Sequence, residues 1–254
     1  MLKKAFTIAA SDPSGGAGIE ADLKVFAAHG VFGMSAITGI TIQGPRGIEK
    51  MVKTPAADFG RILQIISRQI KPDAVKIGAL ASRAHIKLVG KFLEEIKRPS
   101  VFDPVLRSGR GFWLVERKAL HDVISLFPLV DLITPNIPEA EMLTGMRLRN
   151  QNDMIKIVQA LTEKGARAIL LKGGHMASAP VDIFFQGNKV RAFRKKRLAG
   201  RFHGTGCALA SAIAANLALG IGIEDAVAGA EVYIEKVMRK AVDIKGVKYL
   251  THIF

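Results

Sequence analysis

Ala5-Phe6-Thr7-Ile8-Ala9-Ala10 is followed, after Ser11 and Asp12, by Pro13-Ser14-Gly15-Gly16-Ala17-Gly18 and then by a helix-period run from Ile19 to His29 closed by Gly30. This is a short apolar strand, a glycine-rich turn and a helix, the opening unit of a sheet covered by helices. The pattern repeats along nearly the whole chain. Ser35 to Gln43 is rich in β-branched residues and ends in the turn Gly44-Pro45-Arg46-Gly47. A helix over 56–69, a strand over 74–77 and a helix capped by Ser82 follow, the last with Ile86, Val89, Leu93 and Ile96 at helical spacing. Then come a strand over 100–102, a helix over 117–126, a strand over 129–133, a helix over 152–164 and a strand over 167–171. Residues 182–185 and 189–193 form a hairpin, and two helices, from about Cys207 and Glu224, finish the chain. Short strands alternating with helices predict a three-layer α/β/α fold on a mostly parallel sheet. With no linker, repeat or low-complexity segment, residues 1–254 are expected to form one domain.

Composition narrows the class. At 49% hydrophobic and 23% charged residues the chain is globular, and its one cysteine, Cys207, excludes a disulfide framework and fits a reducing cytoplasm. Residues 5–10 are too short for a signal-peptide core. Gly204 to Ile223 lacks charge but carries four glycines, Ser211 and Asn216, with no Trp or Tyr at either edge, so it reads as a buried helix rather than a membrane span. The net charge of +15 suits nucleic acid, an anionic surface or a phosphate-rich small substrate. Only 6% of residues are aromatic, which disfavours a nucleic-acid reader built on stacking.

Ligands of open α/β sheets collect beyond the carboxyl ends of the strands, and polar or glycine-rich residues recur there: 12–18, Gln43, Asp103, Asn136, 172–174 and 203–206. Gly16-Ala17-Gly18-Ile19-Glu20-Ala21 matches G-x-G-x-x-A, but the next strand ends in Gln43 where a dinucleotide site needs an acid, leaving a nicotinamide oxidoreductase as a remote alternative. No P-loop motif is present. His203-Gly204-Thr205-Gly206-Cys207 precedes a small-residue helix, where free N–H groups can hold an anion and a thiol is expected to have a lowered pKa and serve as a base. Asn136 and Glu139, at the start of a helix with Pro138 in its first turn, offer amide and carboxylate oxygens suited to Mg²⁺ and its waters, or alternatively cap that helix. Six of the twelve residues 191–202 are basic (Arg191, Arg194, Lys195, Lys196, Arg197 and Arg201). A solvated hairpin edge is the expected reading of them, with attraction of an anionic nucleotide the alternative.

The run Asp12-Pro13-Ser14-Gly15-Gly16-Ala17-Gly18-Ile19-Glu20-Ala21-Asp22-Leu23-Lys24 closely resembles the N-terminal signature of the hydroxymethylpyrimidine and phosphomethylpyrimidine kinases of thiamine biosynthesis, members of the ribokinase-like superfamily. Asp103-Pro104-Val105, Thr134-Pro135-Asn136-Ile137-Pro138-Glu139-Ala140, Lys172-Gly173-Gly174-His175 and the 203–207 block recur in the family's order. The resemblance implies ATP-dependent phosphorylation of the hydroxymethyl group of 4-amino-5-hydroxymethyl-2-methylpyrimidine or its monophosphate, in a cytoplasmic homodimer. It implies Cys207 at the catalytic position, with Gly204, Thr205 and Gly206 as the anion hole. Asp22 and Gln43 would face the pyrimidine, with Ala10, Ala79 and Val105 beside it. Asn136, Glu139, Lys172, Gly173 and Gly206 would serve ATP, with Glu139, Asn136 and Asp103 serving Mg²⁺ through phosphates or water. A Gln amide, with one donor and one acceptor face, complements an aminopyrimidine edge. Ala10 and Ala79 stand where the family commonly has Gly and Met. The loop Asp103 to Gly109 is short and has Arg107 near the family's missing lysine, and the segment before His203 lacks the usual Thr and Asn. Pyridoxal, another hydroxymethyl group on a heteroaromatic ring, is the alternative acceptor.

Overall fold

The computed structural model describes residues 1–173 and 180–252. Its elements are β1 (Lys4–Ser11), α1 (Gly18–Ala28), β2 (Phe32–Gly44), β3 (Gly47–Lys53), α2 (Ala56–Ile65), β4 (Ala74–Ile77), α3 (Arg83–Ile96) and β5 (Ser100–Phe102). They continue as α4 (Leu120–Ile124), β6 (Leu132–Ile133), α5 (Ile137–Thr144), α6 (Gln151–Glu163), β7 (Ile169–Leu171), β8 (Val181–Gln186) and β9 (Lys189–Arg194). The chain closes with β10 (Phe202–His203), α7 (Thr205–Ala218), α8 (Ile223–Arg239), β11 (Val242–Ile244) and β12 (Val247–Tyr249).

Nine strands form one sheet in the order β3-β2-β1-β4-β5-β6-β7-β8-β9. It is parallel from β2 to β7, with antiparallel hairpin arms at each edge. Strand alternation makes the three layers. Phe6, Ile8, Val75, Ile77, Phe102, Ile133, Ile169 and Leu171 point into one core with Phe59, Ile86, Val89 and Ile157 from α2, α3 and α6. Their neighbours Ala5, Ala74, Val101, Leu132 and Leu170 point into the other, against Phe26 of α1, Ile213 of α7 and Val227 of α8. The expected α/β/α architecture is therefore present. Every parallel strand directs its carboxyl end to one rim, and the polar junctions gather there.

Three expectations are corrected. The turn at 44–47 joins β2 to a further strand, β3, whose residues are mostly exposed on both faces and so lack alternation. The expected strand over 129–133 is reduced to Leu132–Ile133 because Phe127–Leu129 winds as a 3₁₀ turn around Pro128. The chain does not finish on α8: β11 and β12 form a hairpin, and β12 pairs with β10 to make a second small sheet. The uncharged run from 204 forms α7, with Ala208 to Ala215 buried throughout. No helix among the described residues is long and apolar enough to cross a membrane.

Candidate active site

Two glycine-rich turns meet at the rim of the sheet. Gly204 caps α7 with φ of 81°, and a Cβ there would overlap the carbonyl of Gly16. A Cβ at Gly16 would in turn run into His203 and Tyr249. These glycines are needed for close packing, Gly204 on the backbone of Gly16 and Gly16 on the rings of His203 and Tyr249, which argues against their serving a dinucleotide. Asp12 fastens the contact: its Oδ1 accepts from Ser14 N (2.9 Å) and Ser14 Oγ (2.7 Å), and its Oδ2 accepts from Ala17 N (2.9 Å) and pairs with His203 Nε2 (2.7 Å). Gln43 also favours the ionised form of this carboxylate. Burial alone would raise the Asp12 carboxyl, but the hydrogen bonds from His203 and Ser14, together with Gln43, outweigh it and hold the group below the ordinary carboxylate range.

Cys207 lies in the first turn of α7, partly exposed. The backbone N–H of Gly18 favours its ionised form. The helix start does not lower this thiol. Desolvation pushes it up to about 11, and the carboxylates Asp103 and Asp22 add to that against the opposing charge of Lys76. The expectation of an activated thiolate is thus corrected: the dipole of one helix end is outweighed by loss of water.

Asp22 is corrected as well. It is wholly buried, Oδ1 accepting from Ser211 Oγ (2.7 Å) and Oδ2 from Thr7 Oγ1 (2.5 Å) and Lys76 Nζ (2.8 Å), so it does not open onto the rim. Ala10 and Ala79 do share one small apolar cluster with Val105, joined by Leu114, Ile48, Met51 and Phe112. Gln43, next to last in β2 and half-buried, is the register partner of Ile48 in this cluster.

The start of α7 also lines a cleft of about 670 Å³, together with Asn136, Lys172 and Leu209, the 191–198 segment and α8 residues including Glu231 and Met238. The basic segment borders this cleft, with Arg191, Arg194, Lys196 and Arg197 exposed along its edge. Lys172 Nζ pairs with Asp103 Oδ1 at 2.6 Å, and Thr134 Oγ1 donates to the same oxygen at 3.1 Å. Burial opposes the Lys172 charge, but Asp103 and Glu139 raise it above the ordinary range. Asn136 and Glu139 form a reciprocal capping box on α5: Glu139 N donates to Asn136 Oδ1 (2.8 Å) and Asn136 N to Glu139 Oε2 (2.9 Å). Both residues also line a second cleft of about 620 Å³ beside Arg107 and Ser108. Burial pushes the Glu139 carboxyl up to about 7 against the pull of Lys172. Capping uses one of its two oxygens, so the donor set still fits a hard cation held largely through water. Gly173 donates its N–H to Asp182 Oδ1 at 2.8 Å, and Lys195 bridges Asp182 and Glu231, each at 2.6 Å. Gly174 and His175 lie outside the described residues. Among the described residues no three acidic, His or Cys side chains cluster as a metal cage.

The profile described as phosphomethylpyrimidine kinase matches residues 12–252. The chain belongs to the phosphomethylpyrimidine kinase family. It is 41% identical over 239 residues to the thiamine biosynthesis bifunctional protein ThiED of Geobacter sulfurreducens, covering 92% of this chain and 49% of that longer protein, so it spans about half of that relative. It is 38% identical over 230 residues to the hydroxymethylpyrimidine/phosphomethylpyrimidine kinase of Streptomyces coelicolor, covering 90% of this chain and 86% of that one. Among solved structures it resembles the phosphomethylpyrimidine kinase of Clostridium difficile (TM-score 0.82, 37% identity, 92% and 98% of the two chains). It also resembles the ADP complex of Bacillus subtilis pyridoxal kinase (TM-score 0.90, 30% identity, 99% and 98%). The ribokinase-like fold read from the sequence is thereby established. At this rim Asp12, His203, Asp182, Lys195 and Glu231 also take part, with Lys76 buried beneath it; of these six only Lys195, within the basic 191–202 segment, carried an expectation from the sequence. His203 and Asp12 stand inside quoted motifs, and Lys76, the one charge in the otherwise apolar strand 74–77, is the sequence signal that could have pointed to a buried partner.

Proposed function

We propose that this kinase transfers the γ-phosphoryl group of ATP to the hydroxymethyl group of 4-amino-5-hydroxymethyl-2-methylpyrimidine, its monophosphate or both. The supporting observation is that the start of α7 contributes Thr205 and Gly206 to the cleft bordered by Lys172 and the basic segment, with Cys207 next in the same turn. A separate apolar cluster holds Ala10, Ala79 and Val105, partly built by Ile48, the register partner of Gln43. An acceptor held flat against Ala10, Ala79 and Val105, with Gln43 reading its edge, presents its hydroxymethyl oxygen to Cys207. The triphosphate lies along the cleft toward Lys172, Asn136 and Gly206. Mg²⁺ near Asn136 and Glu139, when bound, supplies charge neutralisation of the phosphates.

The protein's share of the chemistry is alignment and charge stabilisation. The first-turn N–H groups of Thr205, Gly206 and Cys207 precede the first intrahelical bond, from Ala208 N to Gly204 O (2.9 Å), and are available to the transferred phosphoryl oxygens. Lys172, fixed by Asp103, adds a point charge. Cys207 takes the acceptor's proton. Because its thiol is raised, only a small thiolate fraction exists near neutral pH, so the rate is expected to climb with pH.

A second reading, pyridoxal phosphorylation, is favoured by the close structural match to pyridoxal kinases. Incubation with ATP, Mg²⁺ and a panel of both acceptors, with products identified by mass, tests the proposal. A phosphorylated pyrimidine as the main product supports it. Phosphorylated pyridoxal as the main product replaces it with the second reading. A cytoplasmic homodimer belongs to the same proposal; the exposed Ile40, Ile42 and Val52 on the β2–β3 hairpin support an apolar pairing face.

A further inference from the structure

Beneath the thiol lies an ion pair that phosphoryl transfer itself does not require. Lys76 and Asp22 are both wholly buried and 2.8 Å apart. Thr7 and Lys76 are register partners on β1 and β4, and both face the layer that holds α1 and α7. Asp22 stands one helical turn after Gly18 on α1, and Ser211 one turn after Cys207 on α7. Ser211 Oγ donates to Asp22. The carboxylate that holds Lys76 is thus tied to α7 one turn below the thiol. A buried pair of this kind costs several kcal/mol of desolvation and can often be replaced by apolar residues without loss of stability, so its stabilising value alone does not account for it. The charged groups that face Cys207 are Lys76 from β4, Asp22 from α1 and Asp103 from the end of β5.

We propose that Lys76 and Asp22 are positioning residues whose opposed buried charges set how readily the Cys207 sulfur releases its proton, the ammonium favouring release and the carboxylate restraining it. This rests on the reading of Cys207 as the proton acceptor, and it extends that reading to a charge pair with no access to substrate. Lys76 carries the charge opposite to the thiolate and Asp22 the like charge, so removing each should move the thiol in opposite directions.

Cys207 is the only cysteine in the chain, so alkylation by iodoacetamide, followed by intact mass, reads this thiol alone. A unit charge about one turn away shifts such a group by about one to two pH units. Below the pKa the alkylation rate follows the thiolate fraction, partly offset by the weaker nucleophilicity of a more acidic thiol, giving changes of about 3- to 15-fold. At about pH 8 the expected order is Asp22→Asn fastest, the parent next and Lys76→Met slowest. The double variant Asp22→Leu with Lys76→Met leaves no orphaned charge and should fall between the parent and Lys76→Met. Single variants that move the rate in the same direction, or both stay within about twofold of the parent, overturn the proposal, because a purely structural pair would loosen the site either way. Should only the double variant fold, a rate equal to or above the parent's overturns it. Full activity in Cys207→Ala would instead refute the reading of Cys207 as base, and leaves the alkylation order as a separate result.

Discussion

Asp12→Asn is the substitution whose cost follows most directly from the structure. Both carboxylate oxygens of Asp12 accept: Oδ1 from the N–H and hydroxyl of Ser14, Oδ2 from Ala17 N–H and His203 Nε2, and the residue is 3% exposed. An asparagine of the same shape must turn its NH₂ toward one of these donor pairs, so at least one bond becomes a donor-to-donor contact while the charge that strengthened the others disappears. Hydrogen bonds to a charged group contribute about 1.5 to 3 kcal/mol each and are not additive, so a loss of about 2 to 4 kcal/mol is expected. For a chain of this size that lowers Tm by about 5 to 15 °C. The pH dependence has a fixed sign. The folded-state pKa of Asp12 is depressed, so its stabilisation is complete above the unfolded value of about 3.9 and is lost as pH falls through the lower folded value. The gap in Tm between parent and variant should be constant from about pH 8 to about pH 5 and narrow below about pH 4. Thermal unfolding across that range checks both the size and the trend. A gap under about 2 °C at neutral pH, or one that widens in acid, would refute the view that this carboxylate ties the two turns together.

The remaining predictions concern the site. Cys207→Ala should fold normally, by circular dichroism, and lose roughly 10² to 10⁴ in turnover, the usual share of a positioned general base. In the parent, log kcat should rise by about one per pH unit between about pH 6.5 and 9, because the raised thiol binds its proton throughout that window. A flat profile would mean that the proton leaves by another route. Glu139→Gln keeps the capping geometry but removes a charge, so the Mg²⁺ concentration for half-maximal rate should increase at fixed ATP; an unchanged curve would leave Glu139 as a cap alone. Replacing Arg191, Arg194 and Lys196 by Gln should raise the KM for ATP severalfold at low salt, with kcat retained, an effect that shrinks as salt screens the cleft.

Much of this molecule was legible because its strands are short, apolar and regularly spaced: the strands at 74–77 and 100–102 fall where their β-branched and aromatic residues predict, and Ser82 caps α3 as expected. What escaped had no periodic signal. The β3 strand is exposed on both faces, and β10 and β12 acquire their partners only when the distant segments 202–203 and 247–249 meet. The same divide runs through the site. Cys207, Gln43, Lys172 and Asn136 stand at strand ends or helix starts, where residue type and position suffice to nominate them. The Asp12–His203 contact joins residues 191 apart, and whether Asp22 faces substrate or a buried lysine depends on which way one turn of α1 is rotated. The direction of the Cys207 shift was misread for a related reason: the helix end is visible in sequence, but the burial that outweighs it is a property of the packed rim.

The central claim, that the rim formed by Gln43, the Ala10–Ala79–Val105 cluster and Cys207 is built for an aminopyrimidine alcohol, is tested by competition. Equimolar 4-amino-5-hydroxymethyl-2-methylpyrimidine and pyridoxal are incubated with limiting ATP and Mg²⁺, and the ratio of phosphorylated products is measured for the parent and for Gln43→Leu. Leaving polar groups of the pyrimidine unpaired costs about 1 to 3 kcal/mol, so the parent should favour the pyrimidine and the substitution should reduce that preference roughly 5- to 150-fold. A parent that favours pyridoxal by about tenfold or more, or a ratio unmoved by Gln43→Leu, would contradict the assignment of the acceptor.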